Sequence, residues 1–113
     1  MARKTDSLFA KNGIWNNNYF IRGRKPDVVF VHIMCAKGWS SGVCGAYFAR
    51  SKVSSNYGIG YKGDICQYVE EKYGAWAQGS QYWNKRGISI ELANSTGADK
   101  GWRVSDETLE SYS

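Results

Sequence analysis

Asp27-Val28-Val29-Phe30-Val31-His32-Ile33-Met34 is the stretch on which the fold turns. It is almost continuously apolar and rich in β-branched residues, the pattern of a strand buried on both faces and therefore central in its sheet. The chain then changes character. Gly38 to Gly42 reads as a loop, Ser40 or Ser41 as a helix N-cap, and Val43, Tyr47 and Phe48 keep helical spacing within a helix near 42–52. A strand followed by a helix points to an α/β layer arrangement.

Downstream, Tyr57-Gly58-Ile59-Gly60-Tyr61 and Ile65-Cys66-Gln67-Tyr68-Val69 flank Lys62-Gly63-Asp64, which predicts a hairpin of strands over 57–61 and 65–70. Residues 71–86 hold Tyr73, Trp76, Gly79, Tyr82 and Trp83 without helix or strand periodicity and read as a long loop, the kind that carries function in a compact domain. Gly87-Ile88-Ser89-Ile90-Glu91-Leu92-Ala93-Asn94 alternates cleanly, with Ile88, Ile90 and Leu92 on one face and Ser89, Glu91 and Ala93 on the other. Ser105 followed by Asp106 and Glu107 begins a last helix, which has a single Leu to bury before Ser113.

Upstream, residues 1–26 read as a loosely structured N-terminal arm closed by Pro26, and 27–113 as the domain proper. The whole chain is 113 residues with 42% hydrophobic and 22% charged residues, a globular composition that fits one small core and excludes a two-domain enzyme. The net charge of +5 allows a polyanionic partner such as nucleic acid or cell wall. Its clusters, Arg3-Lys4, Arg22 with Arg24 and Lys25, and Lys85-Arg86, are too short for a nucleic-acid arm. Cys35, Cys44 and Cys66 form neither a disulfide framework nor a zinc knuckle, so reduced thiols are expected. No signal peptide or membrane-spanning run is visible, and synthesis in the cytoplasm is the expectation.

The chemistry-bearing residues are few. His32, the only histidine, lies near the end of the first strand, where α/β sites gather; it is either a histidine satisfied at the edge of the core or a functional group. Glu91 sits mid-strand and must face solvent or line a cleft, because burying an unpaired carboxylate is costly; in a cleft it is a general-base candidate. Trp76, Gln78, Trp83 and Asn84 mix aromatic faces with amides, a combination that grips sugars and peptides and also suits single-stranded nucleic acid. Cys35 and Cys44 with His32 match no usual zinc spacing.

Taken in order, the strand ending in Val-His-Ile-Met, then Ser54-Ser55-Asn56-Tyr57-Gly58-Ile59-Gly60, Ile65-Cys66-Gln67-Tyr68-Val69, Ala75-Trp76, Tyr82-Trp83-Asn84 and Ile88-Ser89-Ile90-Glu91-Leu92-Ala93-Asn94 resembles the type 2 N-acetylmuramoyl-L-alanine amidases, phage and prophage endolysins above all. The resemblance spans about residues 27–111 and implies an α/β fold, a mixed central sheet flanked by helices, shared with the peptidoglycan recognition proteins. It implies a zinc hydrolase that cuts the amide between N-acetylmuramic acid and the L-alanine of the stem peptide. It implies His32 as a zinc ligand, Glu91 as the acid that handles the proton of the attacking water, and Tyr57 as an assisting aromatic. It places Trp76, Gln78, Trp83 and Asn84 in the wall of the substrate groove. Many members carry His where this chain has Ile33, Asn56 and Ala77. Members take a second His and a Cys or Asp from beyond the helix that starts near Ser105, so by this resemblance the chain is the N-terminal portion of an amidase domain. The expected partner is peptidoglycan, met in the cell wall after release, with the protein a monomer that engages neither nucleic acid nor membrane. A non-catalytic wall-binding module and a small basic nucleic-acid binder are the competing readings.

Overall fold

The computed structural model describes residues 4–113. Arg3 of the first basic cluster lies outside the described residues. Seven strands and three helices follow one another: β1 (Asn12–Gly13), β2 (Tyr19–Ile21), β3 (Val28–Lys37), α1 (Ser41–Phe48), β4 (Tyr57–Ile59), β5 (Ile65–Gln67), β6 (Tyr73–Ala75), α2 (Gln81–Arg86), β7 (Gly87–Asn94) and α3 (Asp106–Tyr112), with a 3-10 turn over Ala98–Lys100. A mixed five-stranded sheet runs in the order β1-β5-β4-β7-β3, and β2 pairs with β6 in a separate two-stranded ribbon. The pairs β3–β7, β4–β7 and β1–β5 are parallel, while β4–β5 is the antiparallel hairpin. The sheet flanked by helices is the α/β architecture read from the sequence.

The ten-residue β3 is an edge strand, not a central one. Its residues alternate strictly: Phe30, His32 and Met34 are half-buried, while Val29, Val31 and Ile33 remain 54, 41 and 44% exposed. An unbroken apolar run carries no period, so it reads the same whether one face of the strand is covered or both. Residues read as a loose arm also take part in the fold. β1 extends the sheet beside β5, and the half-buried Tyr19 of β2 stacks on Tyr73 of β6 at 4.4 Å. Strands of two or three residues are too short to show alternation.

The core lies between α1 and one face of the sheet, where Cys44, Phe48, Cys66, Tyr68, Val69 and Ala75 are buried together. Ser40 caps α1 by accepting from Val43 N at 3.1 Å, as its position predicts. The helix buries Cys44, Gly45 and Phe48, while Val43 and Tyr47, expected to share that face, are about half exposed. Gly45 permits the close approach: a Cβ there would lie 2.8 Å from the Tyr68 ring. Tyr68 in turn donates its hydroxyl to Ser41 O at 2.6 Å.

The hairpin turns at Lys62-Gly63-Asp64, with Gly60 N donating to Asp64 O at 2.7 Å and Gly63 at φ +87°. The last helix docks on this turn through hydroxyls and not through its leucine, which is 48% exposed. Thr108 Oγ1 donates to Gly60 O at 2.7 Å, Ser111 Oγ to Gly63 O at 2.7 Å, and the Ser105 cap to Tyr61 O at 2.6 Å. One member of the basic clusters is internal. Arg22 is 2% exposed, and its guanidinium donates to the carbonyls of Tyr73, Lys85 and Gly87, tying the β2–β6 ribbon to α2 and β7.

Candidate functional site

Parallel pairing of β3 with β7 puts His32 opposite Glu91, and pairing of β4 with β7 puts Gly58 opposite Glu91. Paired positions send their side chains to the same face. His32 and Glu91 therefore share the face that carries α1, with no side chain from Gly58 between Glu91 and the core. Ser89, two residues earlier on β7, is on this face as well and is 1% exposed.

Glu91 opens into a cavity of about 250 Å³ lined also by Met34, Trp39, Cys44, Tyr47 and Phe48. Burial among these largely apolar groups pushes its carboxyl up to about 7, and only the His32 imidazole opposes the shift. A carboxyl held there exchanges protons near neutral pH, the property a general acid or base needs. The Cys44 thiol on the same wall is pushed up to about 12 by burial and stays protonated. Trp39 and Tyr47, rings 5.7 Å apart, form the aromatic rim of this cavity. Sequence reasoning missed them as site residues; the signal available was the position of Trp39, in the loop leaving the strand that carries His32.

Gln78 is brought to His32. Its Oε1 lies within hydrogen-bonding distance of His32 Nε2, at 2.8 Å, and its Nε2 donates to Ser89 Oγ. Asn84 is 4% exposed and turned inward: its Oδ1 accepts from Gln78 N at 2.7 Å and Ala77 N at 3.2 Å, so it clamps the loop from behind. Part of the stretch read as a long loop is α2, which carries this clamp. Trp76 and Trp83 offer open ring surface, 36 and 43% exposed, the first against Phe20 at 4.6 Å and the second edge-on to Phe30 at 5.7 Å.

Tyr57 is not brought to the others. It pairs with Ile90, so its side chain leaves the opposite face of the sheet, where its hydroxyl donates to Glu71 Oε2. Burial, reinforced by Glu71, pushes its phenol far above the ordinary range. Tyr57 and Glu71 line a second cavity of about 610 Å³ with Ile59, Ile88 and Ile90. That cavity is larger than the one at Glu91, but neither His32 nor Glu91 faces it.

A catalytic zinc takes three protein ligands. His32 is the only histidine in the chain, and among the described residues no group of three or more His, Cys, Asp or Glu is placed to hold a metal ion. The donor set therefore does not fit a zinc ion by itself.

A family model described as N-acetylmuramoyl-L-alanine amidase matches residues 22–113. A solved structure described as the crystal structure of Se-Met AmpD derivative superposes with a TM-score of 0.67 at 20% identity, covering 99% of this chain and 74% of that one. The likeness establishes the fold. No curated protein matches the sequence.

Proposed function

The chain belongs to the N-acetylmuramoyl-L-alanine amidase family, and from that premise we propose that it hydrolyses the amide joining the lactyl group of N-acetylmuramic acid to the L-alanine of the peptidoglycan stem peptide. The observation that carries the reading is the juxtaposition of His32 and Glu91 on paired strands beside an aromatic-rimmed cavity. Amide hydrolysis needs a group that takes a proton from the attacking water and returns one to the leaving amine. Glu91, with a carboxyl near 7, serves both steps without leaving its pocket. Trp76 and Trp83 supply exposed ring faces against which sugar or peptide can lie. No step of the proposal runs through a metal ion, since the described residues supply one histidine where a catalytic zinc takes three protein ligands. The test is incubation of the purified protein with peptidoglycan. Intact stem peptides freed with L-alanine at their amino ends support the reading, and glycan strands that keep their peptides contradict it.

The single-histidine donor set favours a second reading, a module that holds peptidoglycan without cutting it. Retention on insoluble wall with no freed peptide is its signature.

A further inference from the structure

We propose that Gln78 is a positioning residue for His32, fixing the imidazole with its proton on Nε2 and leaving Nδ1 as the nitrogen with an available lone pair. A side-chain amide has one acceptor end and one donor end. Here the acceptor end meets His32 Nε2 at 2.8 Å and the donor end meets Ser89 Oγ, so both are engaged within the protein. Each end of the amide keeps one further hydrogen-bonding position, a second lone pair on Oε1 and a second N–H on Nε2. Gln78 is itself held at both ends. Its backbone N–H is bonded to the buried Asn84, and Ser89 is fixed by its own backbone, Ser89 N donating to Asn56 Oδ1 at 3.0 Å and Ser89 O accepting from Ser55 Oγ at 2.9 Å. The chain from Asn56 through Ser89 and Gln78 to His32 is thus anchored in 0–1% exposed side chains at its far end, and the ring inherits that rigidity. In a ring held this way the tautomer is set by the partner of one nitrogen.

The proposal rests on reading His32 as part of the working site, and its test reads the ring and not hydrolysis, so a wrong tautomer and an inert enzyme are separate results. Because His32 is the only histidine, its ring nitrogens give unambiguous NMR signals in the intact chain. At alkaline pH, where imidazole is neutral, ¹⁵N-correlated spectra of the wild type should show Nε2 protonated and Nδ1 bare, with the Nε2 proton protected from exchange with water. Gln78→Leu should release that proton about fivefold faster, the factor set by one net hydrogen bond, while the backbone amides of β3 and β7 keep their shifts. Ser89→Ala, which removes only the anchor of Gln78, should give an intermediate rate. A wild-type ring protonated on Nδ1 overturns the proposal, as does an exchange rate unchanged in Gln78→Leu. If Gln78→Leu fails to fold, the wild-type tautomer and the Ser89→Ala rate decide.

Discussion

His32 and Glu91 stand at paired positions on the parallel strands β3 and β7, so an imidazole and a carboxyl leave the same face of the sheet side by side. That pairing follows from strand register and not from a loop, and it gives the site a rigid floor. What surrounds it differs on the two sides: the amide of Gln78 contacts the imidazole, and a largely apolar cavity surrounds the carboxyl.

The carboxyl makes stability depend on pH. Burial raises Glu91 from its ordinary 4.5 to about 7 in the folded chain. Below 4.5 the group is protonated in both states and has no effect on the balance; between 4.5 and 7 the unfolded chain ionises first, so folding loses stability as pH rises, and above 7 the loss is complete. Glu91→Gln has no such loss. Its melting temperature should exceed that of the wild type by an amount that grows from pH 4.5 to 7 and then levels off, corresponding to no more than about 3 kcal/mol. Parallel melting curves across this range contradict the burial of Glu91.

Arg22 predicts a stability effect remote from the site. Its guanidinium bridges the carbonyls of Tyr73, Lys85 and Gly87 from a buried position. Arg22→Ala should destabilise by about 2–4 kcal/mol, because these acceptors lose a charged donor. Arg22→Lys should recover less than half of that, since one ammonium cannot span a fork of three carbonyls. Chemical denaturation reads both; an Arg22→Ala midpoint near wild type would refute the clamp.

Gly58 is held small by Tyr68. A Cβ at Gly58 would overlap the Tyr68 hydroxyl, which is bonded to Ser41 O at 2.6 Å. Gly58→Ala should therefore cost about 1–3 kcal/mol by overpacking. In a Tyr68→Phe background, where the overlapping oxygen is gone, the same substitution should cost less. A double-mutant cycle of urea unfolding measures the coupling, and additive effects would show that the two residues do not touch.

The legible parts of this molecule were those with an unambiguous local signal. Alternation from Ile88 to Leu92 defined β7, a serine before two acids defined the start of α3, and Gly63 between alternating strands defined the hairpin. The fold class followed from these. The edge position of β3 is not legible, because Val28 to Met34 has no period, and of the three α1 residues with helical spacing Phe48 is buried as expected, whereas Cys44 takes the place of Val43 and Tyr47 beside it. In the site, strand parity made the difference. Glu91 has the parity of His32, whereas Tyr57 pairs with Ile90 and is carried to the other face, a relation that appears only once the register of β4 on β7 is known. The inward turn of Asn84 and the double engagement of Gln78 depend on contacts across the fold and leave no trace in the order of residues.

The most direct test of the central claim compares wild type and Glu91→Gln on the same peptidoglycan at neutral pH, counting freed L-alanine amino ends and retained protein together. The account predicts that Glu91→Gln lowers the release rate by about 10²–10⁴-fold, the contribution of one general acid or base, while leaving retention on the wall unchanged. Equal release by the two proteins would contradict the assignment of Glu91 as the proton-transferring group.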